Sequence, residues 1–456
     1  MLSFKGNDVR ISSVDHYIDK SLTVPGSKSI TNRVLLVSAL NSNRVKLKNV
    51  LISDDTTHML NSLQLLGFKV IKEVYSKNMD YPEIRDFIDF IQSRCVDSLV
   101  VEIGGGAEFE TGDVKSLFTG NSGTTMRFLC SFLPLLKGEF VLDGDARMRE
   151  RPISDLTKAL RQLGIQIEDN NGFPPVRILS NGIVYGGEVN ISGRISSQYI
   201  SSIMMSAPYY RQGVKINIVD ELVSKPFVDM TSSLMSQFGV KVSNQEYRLI
   251  SIPRGEYSRS ADFFVEPDLT NAFYFLSIPA IIPSRITIFG IGRNTIQGDI
   301  KFLDILKEIG CEVVISDRFI TVEGSGNPRG IDVDMNDIPD LVQTLAVISL
   351  FANRPTSIRN VANLRVKETD RISALCNEIR KLGAGVEEYE DGIKVIPRTS
   401  YSPVSISTYN DHRMAMSFAL AGLRIDGLVI ENYRCTSKTF PSFWDYFEFI
   451  YTKHLY

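Results

Sequence analysis

Hydrophobic and polar positions along the 456-residue chain repeat one phrase five times. A helix-period stretch closes with an apolar residue, two others and an apolar residue; a glycine follows, then strand-like alternation. The copies are LQLLGFKV around Gly67, LRQLGIQI around Gly164, MSQFGVKV around Gly239, LKEIGCEV around Gly310 and IRKLGAGV around Gly383. Glycine there predicts a helix C′ position, where a positive φ closes the last turn before a strand. The glycines lie 97, 75, 71 and 73 residues apart. So even a period predicts repeated α/β supersecondary units rather than one doubly wound sheet. The longer first interval holds YSKNMDYPEIRDFIDFIQSRCVDS (Tyr75–Ser98), which predicts an inserted, polar-faced helix on a surface excursion, a decoration of the fold. Near Glu266-Pro267-Asp268 a second series begins, because DLTNAFYFLSIPAI echoes SKSITNRVLLVSAL near the N-terminus. Two similar halves of repeated α/β units follow, and a cleft between such halves is a preferred place for a small-molecule site.

Composition narrows the class of protein. Hydrophobic residues make up 43% and charged residues 23%, the balance of a soluble globular chain. The longest apolar runs, such as Leu341–Ala352, are too short to span a bilayer. The opening MLSFKGNDVRISS lacks the apolar core of a signal peptide. Five scattered cysteines with no CxxC spacing read as reduced thiols in a cytoplasmic protein. Four histidines, none paired at helical spacing, disfavour a protein-built zinc site. With a net charge of −3 the chain as a whole is no nucleic-acid binder. Any basic site must therefore be local.

The stretch TVPGSKSITNRVLL (Thr23–Leu36) looks at first like the end of a nucleotide-binding P-loop. That loop needs Gly, four residues and Gly-Lys-Ser/Thr, so that successive N–H groups wrap the phosphates. Here Ser27 precedes Lys28, and Pro25 has no N–H to give. What survives is Lys28 between two serines, followed by Arg33 and an apolar helical run. Further along, LFTGNSGTTMRFL places Gly123 among small residues before a helix, a setting for an anion or simply for a capped turn. RMRERPIS holds Arg151 in a charge run, RISSQYISSIMMSAP holds Ser196, Ser197 and Gln198 before an apolar helix, and VSKPF holds Ser224. In NVANLRVKETDRISAL, Lys367 and Arg371 are an i,i+4 step around Glu368, commonly a surface ion pair on a helix; Asn363 lies just upstream. MNDIPDLVQTLAV sets Asp340 at a helix start, YNDHRMAMSFALAG sets His412 and Arg413 before an apolar helix, and CTSKTFPSFWDYF sets Lys438 in a polar turn. Each is weak alone. Together they put cations, Arg127 among them, at the repeat junctions of both halves.

The ordered set VPGSKSITNR, GNSGTTMRF, RPIS, SSQYISSIMMSAP, SKP, GIGRNTIQGDI, IPDLVQTLAV, LRVKETDR, NDHRMAMS and SKTFPSF resembles the 3-phosphoshikimate 1-carboxyvinyltransferase (EPSP synthase) family from Ser21 to about Tyr446. The resemblance implies an α/β fold of two similar domains, each of three repeated βαβαββ-type units, the inside-out α/β barrel of enolpyruvyl transferases. The five phrases fit it if the sixth copy is degenerate. One domain would be 27–267, on the shikimate phosphate side. The other, 1–26 with 268–456, would carry the phosphoenolpyruvate clamp and the catalytic carboxylates, with the active site in the cleft and two chain crossings as the hinge. The implied reaction is enolpyruvyl transfer from phosphoenolpyruvate to the 5-hydroxyl of shikimate 3-phosphate, without cofactor or metal, in a cytoplasmic monomer with no nucleic-acid or membrane partner.

Residue by residue, the resemblance assigns the shikimate carboxylate to Ser29 and Arg33, and the ring phosphate to Ser196, Ser197, Ser224 and Lys367. It gives the ring hydroxyls to Asp340 and Asn363, and sets Gln198 between the two substrates. Phosphoenolpyruvate falls to Arg151, Arg371, His412, Arg413 and Lys438, with Lys28 and the Gly123 backbone beside the reacting carbon. Glu368 is the candidate for moving a proton at that carbon, Asp340 for accepting the hydroxyl proton and Lys28 for stabilising charge. Two polyanions must meet, and at roughly 7 Å with an effective dielectric of about 20 each unit-charge pair costs about 2 kcal/mol. A dense cationic cluster, drawn from both halves and closing over the ligands, answers that cost. Phe227 stands where many relatives carry tyrosine, and Thr125 and Phe128 where Ala and Pro are frequent. The sister transferase acting on UDP-N-acetylglucosamine relies on a loop cysteine, whereas Cys130 falls in an apolar helix. An RNA-end-binding relative would need a basic surface. A non-catalytic relative would lack Lys28, Asp340 or Glu368, and all three are present.

Overall fold

In the computed structural model, which describes residues 1–75, 82–104 and 114–452, the chain divides into two units. One, here the central unit, comprises Gly26–Tyr75 and Ser98–Val265; the other, the terminal unit, comprises Met1–Pro25, Ser76–Asp97 and Glu266–Tyr456. Among the described residues each unit holds three four-stranded sheets, and all six share one pattern. The first two strands are parallel, and the other two extend the sheet antiparallel as a hairpin. In four repeats a helix supplies the crossover that a parallel pair needs; in the other two, Phe263–Phe264 beside Val45–Leu51 and Ile18–Leu22 beside Pro283–Phe289, the strands come from separate passes of the chain. In five repeats a second helix leads into the antiparallel pair. Gly187–Ile191, the helix Ser197–Ser206, Val214–Ile218, the helix Pro226–Gln237, Ser243–Gln245 and Leu249–Ile252 form one such βαβαββ repeat. The expected fold of three such repeats per unit is the one observed.

The phrase glycines do what their position predicts. Gly67, Gly164, Gly239, Gly310 and Gly383 all have φ between +81° and +109°. At four of them the next N–H reaches back to close the helix end: Phe68 to Leu63 O, Ile165 to Leu160 O, Val240 to Met235 O and Cys311 to Leu306 O, at 2.9–3.1 Å. The sixth phrase is absent rather than degenerate. Its second helix, Phe443–Phe449, closes the described chain, and its hairpin, Leu2–Lys5 with Asp8–Ile11, opens it; that hairpin pairs with Leu428–Ile430. No helix–glycine–strand link exists there to be read.

The two helices of a repeat differ in burial. The first is buried almost all round: Lys28–Leu40, Gly123–Phe132 and Ser197–Ser206 in the central unit, and Leu269–Leu276, Val342–Ser349 and His412–Gly422 in the terminal unit. Apolar and small residues on every face require such a place. The three central-unit helices pack on one another.

The inserted segment departs from expectation. Residues 82–97 are no surface excursion. The helix Arg85–Gln92 buries Phe87, Ile88 and Ile91 in the core of the terminal unit, with Phe87 5.1 Å from both Tyr446 and Phe449. Asp97 accepts from the Tyr446 hydroxyl and lies 3.5 Å from Ser442 Oγ. The apolar stripe of that helix outweighs its polar face, and the chain passes between the units four times rather than twice. Residues 76–81 of the insertion lie outside the described residues. No described helix is long and apolar enough to cross a membrane.

Candidate active site

In both units many of the candidate residues gather at helix N-termini, where unpaired N–H groups and the helix dipole favour anions. In the central unit, Ser27 caps the helix that begins at Lys28. A Cβ at Gly26 would lie 1.9 Å from Asn49 O, so glycine there permits a close backbone approach rather than phosphate wrapping. Lys28 Nζ pairs with Asp55 at 3.4 Å. Five residues on, the Arg33 side chain turns inward. The residue is 2% exposed, and its guanidinium donates to Thr231 Oγ1 at 2.7 Å, Ser29 O at 2.9 Å and Ser201 Oγ at 3.3 Å. Burial without a carboxylate lowers its pKa to about 9.

Ser122 caps the helix that begins at Gly123. Arg151 reaches that turn through Asn121, at 3.0 Å to Oδ1. Arg127 donates to Gln198 Oε1 at 2.7 Å, and Gln198 Nε2 lies 3.4 Å from Thr124 Oγ1. Gly123, Arg127, Arg151 and Gln198 thus form one cluster. Ser196 caps the third helix, with Ser197 buried beside it. Ser224 is buried with φ +56°, an uncommon conformation for a non-glycine residue and one that clusters at ligand sites.

In the terminal unit one guanidinium gathers three carboxylates. Arg371, 1% exposed, donates to Asp411 at 2.8 Å, Glu368 at 2.8 Å and Asp340 at 3.1 Å. Burial opposes its charge, but Asp411, Glu368 and Asp340 outweigh burial and raise its pKa. Arg413 takes the other Asp340 oxygen at 2.7 Å and the Tyr274 hydroxyl at 3.4 Å; burial again opposes the charge, and Asp340 more than restores it. Lys438 stands 3.8 Å from Glu368. His412 is buried, its Nδ1 3.5 Å from Asp411. Asp411 caps the helix His412–Gly422.

KETDR is not one helix face. Lys367 ends a 3-10 turn, Asp370 caps the helix and Arg371 begins it, so the Glu368–Arg371 pair is a buried contact across a helix start. Asn363, on that turn, is 6% exposed, and neither end of its amide has a partner among the described residues. A buried amide in that condition is costly unless a ligand completes it.

Asp55 and Asp411 join the site only in the fold, and Arg127, a cation at a repeat junction in the sequence, becomes a partner of Gln198. Asp55 stands at the start of a helix in SDD, where an acidic residue is ordinary, and nothing local couples it to Lys28, 27 residues away. The one local signal for Asp411 is its place in NDHR, directly before His412 and Arg413. Burial pushes the Cys130 thiol up to about 12, so it is no nucleophile.

A fold of six βαβαββ repeats, with cation and carboxylate clusters at helix N-termini, defines a transferase class that handles polyanionic small molecules. A sequence profile of EPSP synthase (3-phosphoshikimate 1-carboxyvinyltransferase) matches residues 14–447, and the chain belongs to that family. It is 44% identical over 432 residues to the 3-phosphoshikimate 1-carboxyvinyltransferase of Aliivibrio fischeri (strain MJ11), covering 94% of this chain and 96% of the relative. It is 45% identical over 431 residues to that of Vibrio vulnificus (strain YJ016), covering 94% and 95%. In fold it is similar to the EPSP synthase of Acinetobacter baumannii, with a TM-score of 0.75, 23% identity and 96% of each chain covered.

Proposed function

We propose that this chain transfers the carboxyvinyl group of phosphoenolpyruvate to the 5-hydroxyl of shikimate 3-phosphate, releasing phosphate. The observation that carries the reading is the pair Arg33 and Arg127, buried guanidinium groups whose hydrogen bonds among the described residues go only to neutral oxygens. Buried charge without a counter-ion is costly, and anionic substrates supply the counter-ions. Ser29 and Arg33 take the acceptor's carboxylate; Ser196, Ser197, Ser224 and Lys367 its phosphate; Asp340 and Asn363 its hydroxyls. Lys28, Gly123, Arg151, Gln198, Arg371, His412, Arg413 and Lys438 serve phosphoenolpyruvate. The central unit thus supplies most of the groups for the acceptor's carboxylate and phosphate with part of the phosphoenolpyruvate set, and the terminal unit supplies the remaining clamp residues and the catalytic carboxylates.

The acceptor hydroxyl adds to C2 of phosphoenolpyruvate as its methylene carbon gains a proton. The resulting tetrahedral species expels phosphate as the methyl group loses a proton. Asp340 accepts the hydroxyl proton, Glu368 moves the proton at carbon and Lys28 steadies the developing charge. The ion pairs support this division of labour. Arg371 and Lys438 hold Glu368, and Arg371 and Arg413 hold Asp340. An arriving phosphate shares those cations, and a carboxylate with weaker cation contact takes up a proton more readily. Phosphate release from phosphoenolpyruvate, measured with and without shikimate 3-phosphate, tests the reading. Release that ignores shikimate 3-phosphate, or that requires UDP-N-acetylglucosamine, overturns it.

Two variants probe the assignments. Glu368→Gln is expected to bind both substrates but lose about 10²-fold in kcat, the scale of a lost general acid–base group; near-normal turnover would remove Glu368 from its role. At Gly123 an added Cβ would lie 2.5 Å from Arg127 Nη1 and 2.8 Å from Arg151 Nη2. Gly123→Ala displaces two guanidinium groups rather than backbone, so it should fold normally and raise the KM for phosphoenolpyruvate by about tenfold or more, since misplaced clamp groups are costly. An unchanged KM for phosphoenolpyruvate would separate Gly123 from that subsite.

A further inference from the structure

Phe128 and Phe227, on two different helices, meet at one group. The Arg33 guanidinium carbon lies over the Phe128 ring, 5.2 Å from its centroid, and over the Phe227 ring, 5.8 Å from its centroid. Phe128 is fully buried on the helix Gly123–Phe132, and half-buried Phe227 opens the helix Pro226–Gln237. Phe227 also binds through its backbone: its carbonyl accepts from Arg33 Nη2 at 3.4 Å and from the Thr231 hydroxyl at 2.7 Å. That hydroxyl in turn accepts from Arg33 Nε.

Arginine has five N–H groups. Those of Nε and Nη2 and one on Nη1 are committed to Thr231, Ser201, the Phe227 carbonyl and Ser29 O. One N–H on Nη1 remains without a partner among the described residues. Arg33 therefore differs from Arg371, which is held by three carboxylates. With no carboxylate beside it, its charge is offset by neutral oxygens and by the negative faces of aromatic rings, an interaction that strengthens when the cation is desolvated.

We propose that Phe128 and Phe227 are positioning residues for the acceptor's carboxylate: their rings hold the Arg33 guanidinium charged and in place, leaving one Nη1 N–H for an anionic group. This rests on the assignment of Arg33 to the acceptor. A tyrosine at 227 keeps the ring face; a leucine at either position keeps apolar bulk and loses it.

The test is steady-state kinetics with shikimate 3-phosphate and with its carboxamide, in which a neutral amide replaces the ring carboxylate. Wild-type protein should prefer the carboxylate. Phe128→Leu and Phe227→Leu should each raise the KM for shikimate 3-phosphate by about fivefold, shrink the preference by the same factor and leave the KM for phosphoenolpyruvate unchanged. Phe227→Tyr, which keeps the ring face, should retain the preference. Equal losses with both acceptors, or no loss, overturn the proposal, since a merely structural role does not distinguish amide from carboxylate. A wild-type protein that shows no preference instead removes Arg33 from the acceptor site. Should Phe128→Leu fail to fold, Phe227→Leu decides, because Phe227 is half-buried.

Discussion

An Arg371→Met chain is expected to lose about 3–5 kcal/mol of stability and to have no measurable transfer activity. Methionine fills much of the arginine's volume, so the loss is not chiefly one of packing. The cost arises from what stays behind. Asp411 is wholly buried, Glu368 nearly so, and Asp340 mostly, and all three hold Arg371 within 2.8–3.1 Å. Breaking a buried ion pair from one side leaves an uncompensated charge, which costs far more than the intact pair contributes. Arg413 still covers Asp340 and Lys438 still approaches Glu368, so the residual penalty falls mainly on Asp411. Arg371→Met combined with Asp411→Asn should therefore recover part of the stability without recovering activity. Denaturant unfolding of the single and double variants measures this, and a double variant no more stable than the single would place the penalty elsewhere.

That network shows where sequence reading succeeds and where it stops. The five glycines were legible because a C′ residue with positive φ is a local demand, met within six residues of backbone. The sixth repeat was not, because its hairpin lies at Leu2–Ile11 and its helices beyond His412; periodicity cannot bridge chain ends. In the insertion, Phe87, Ile88 and Ile91 lie at helical spacing, so the helix was legible. What it packs against was not, because Tyr446 and Phe449 lie more than 350 residues away. The motifs located Arg371 and Glu368 but not their geometry. An i,i+3 contact reads as a surface pair until Asp411, 40 residues on, is known to bury it. Asp299 is the sharpest case. It stands inside GIGRNTIQGDI, a stretch that resembles the family but whose residue types point to no particular role. Only the fold shows that it is buried.

Asp299→Asn is expected to stabilise the protein at pH 8 and to leave it nearly unchanged near pH 4. Asp299 is 5% exposed, and its Oδ1 has no hydrogen-bond partner among the described residues. Burial is the main cause of a pKa raised from 3.8 to about 7. Asp340 and Asp268 add repulsion, while Arg413 and the hydrogen bond from Thr270 only partly oppose it. The sign follows from proton counting. Below about pH 4 both folded and unfolded chains hold the proton, and the group favours neither. Between about 4 and 7 the unfolded chain releases it while the folded chain keeps it. Stability then falls by up to about 1.4 kcal/mol per pH unit and levels off above 7. Three units amount to about 4 kcal/mol at most. Asparagine keeps the shape and never ionises, so the stability difference between variant and wild type should open from near zero at pH 4 to a plateau above pH 7. Groups common to both chains titrate equally in the two and cancel in that difference. Thermal unfolding across pH 4–8 reads it directly; parallel curves would mean that Asp299 is ionised in the folded protein at neutral pH.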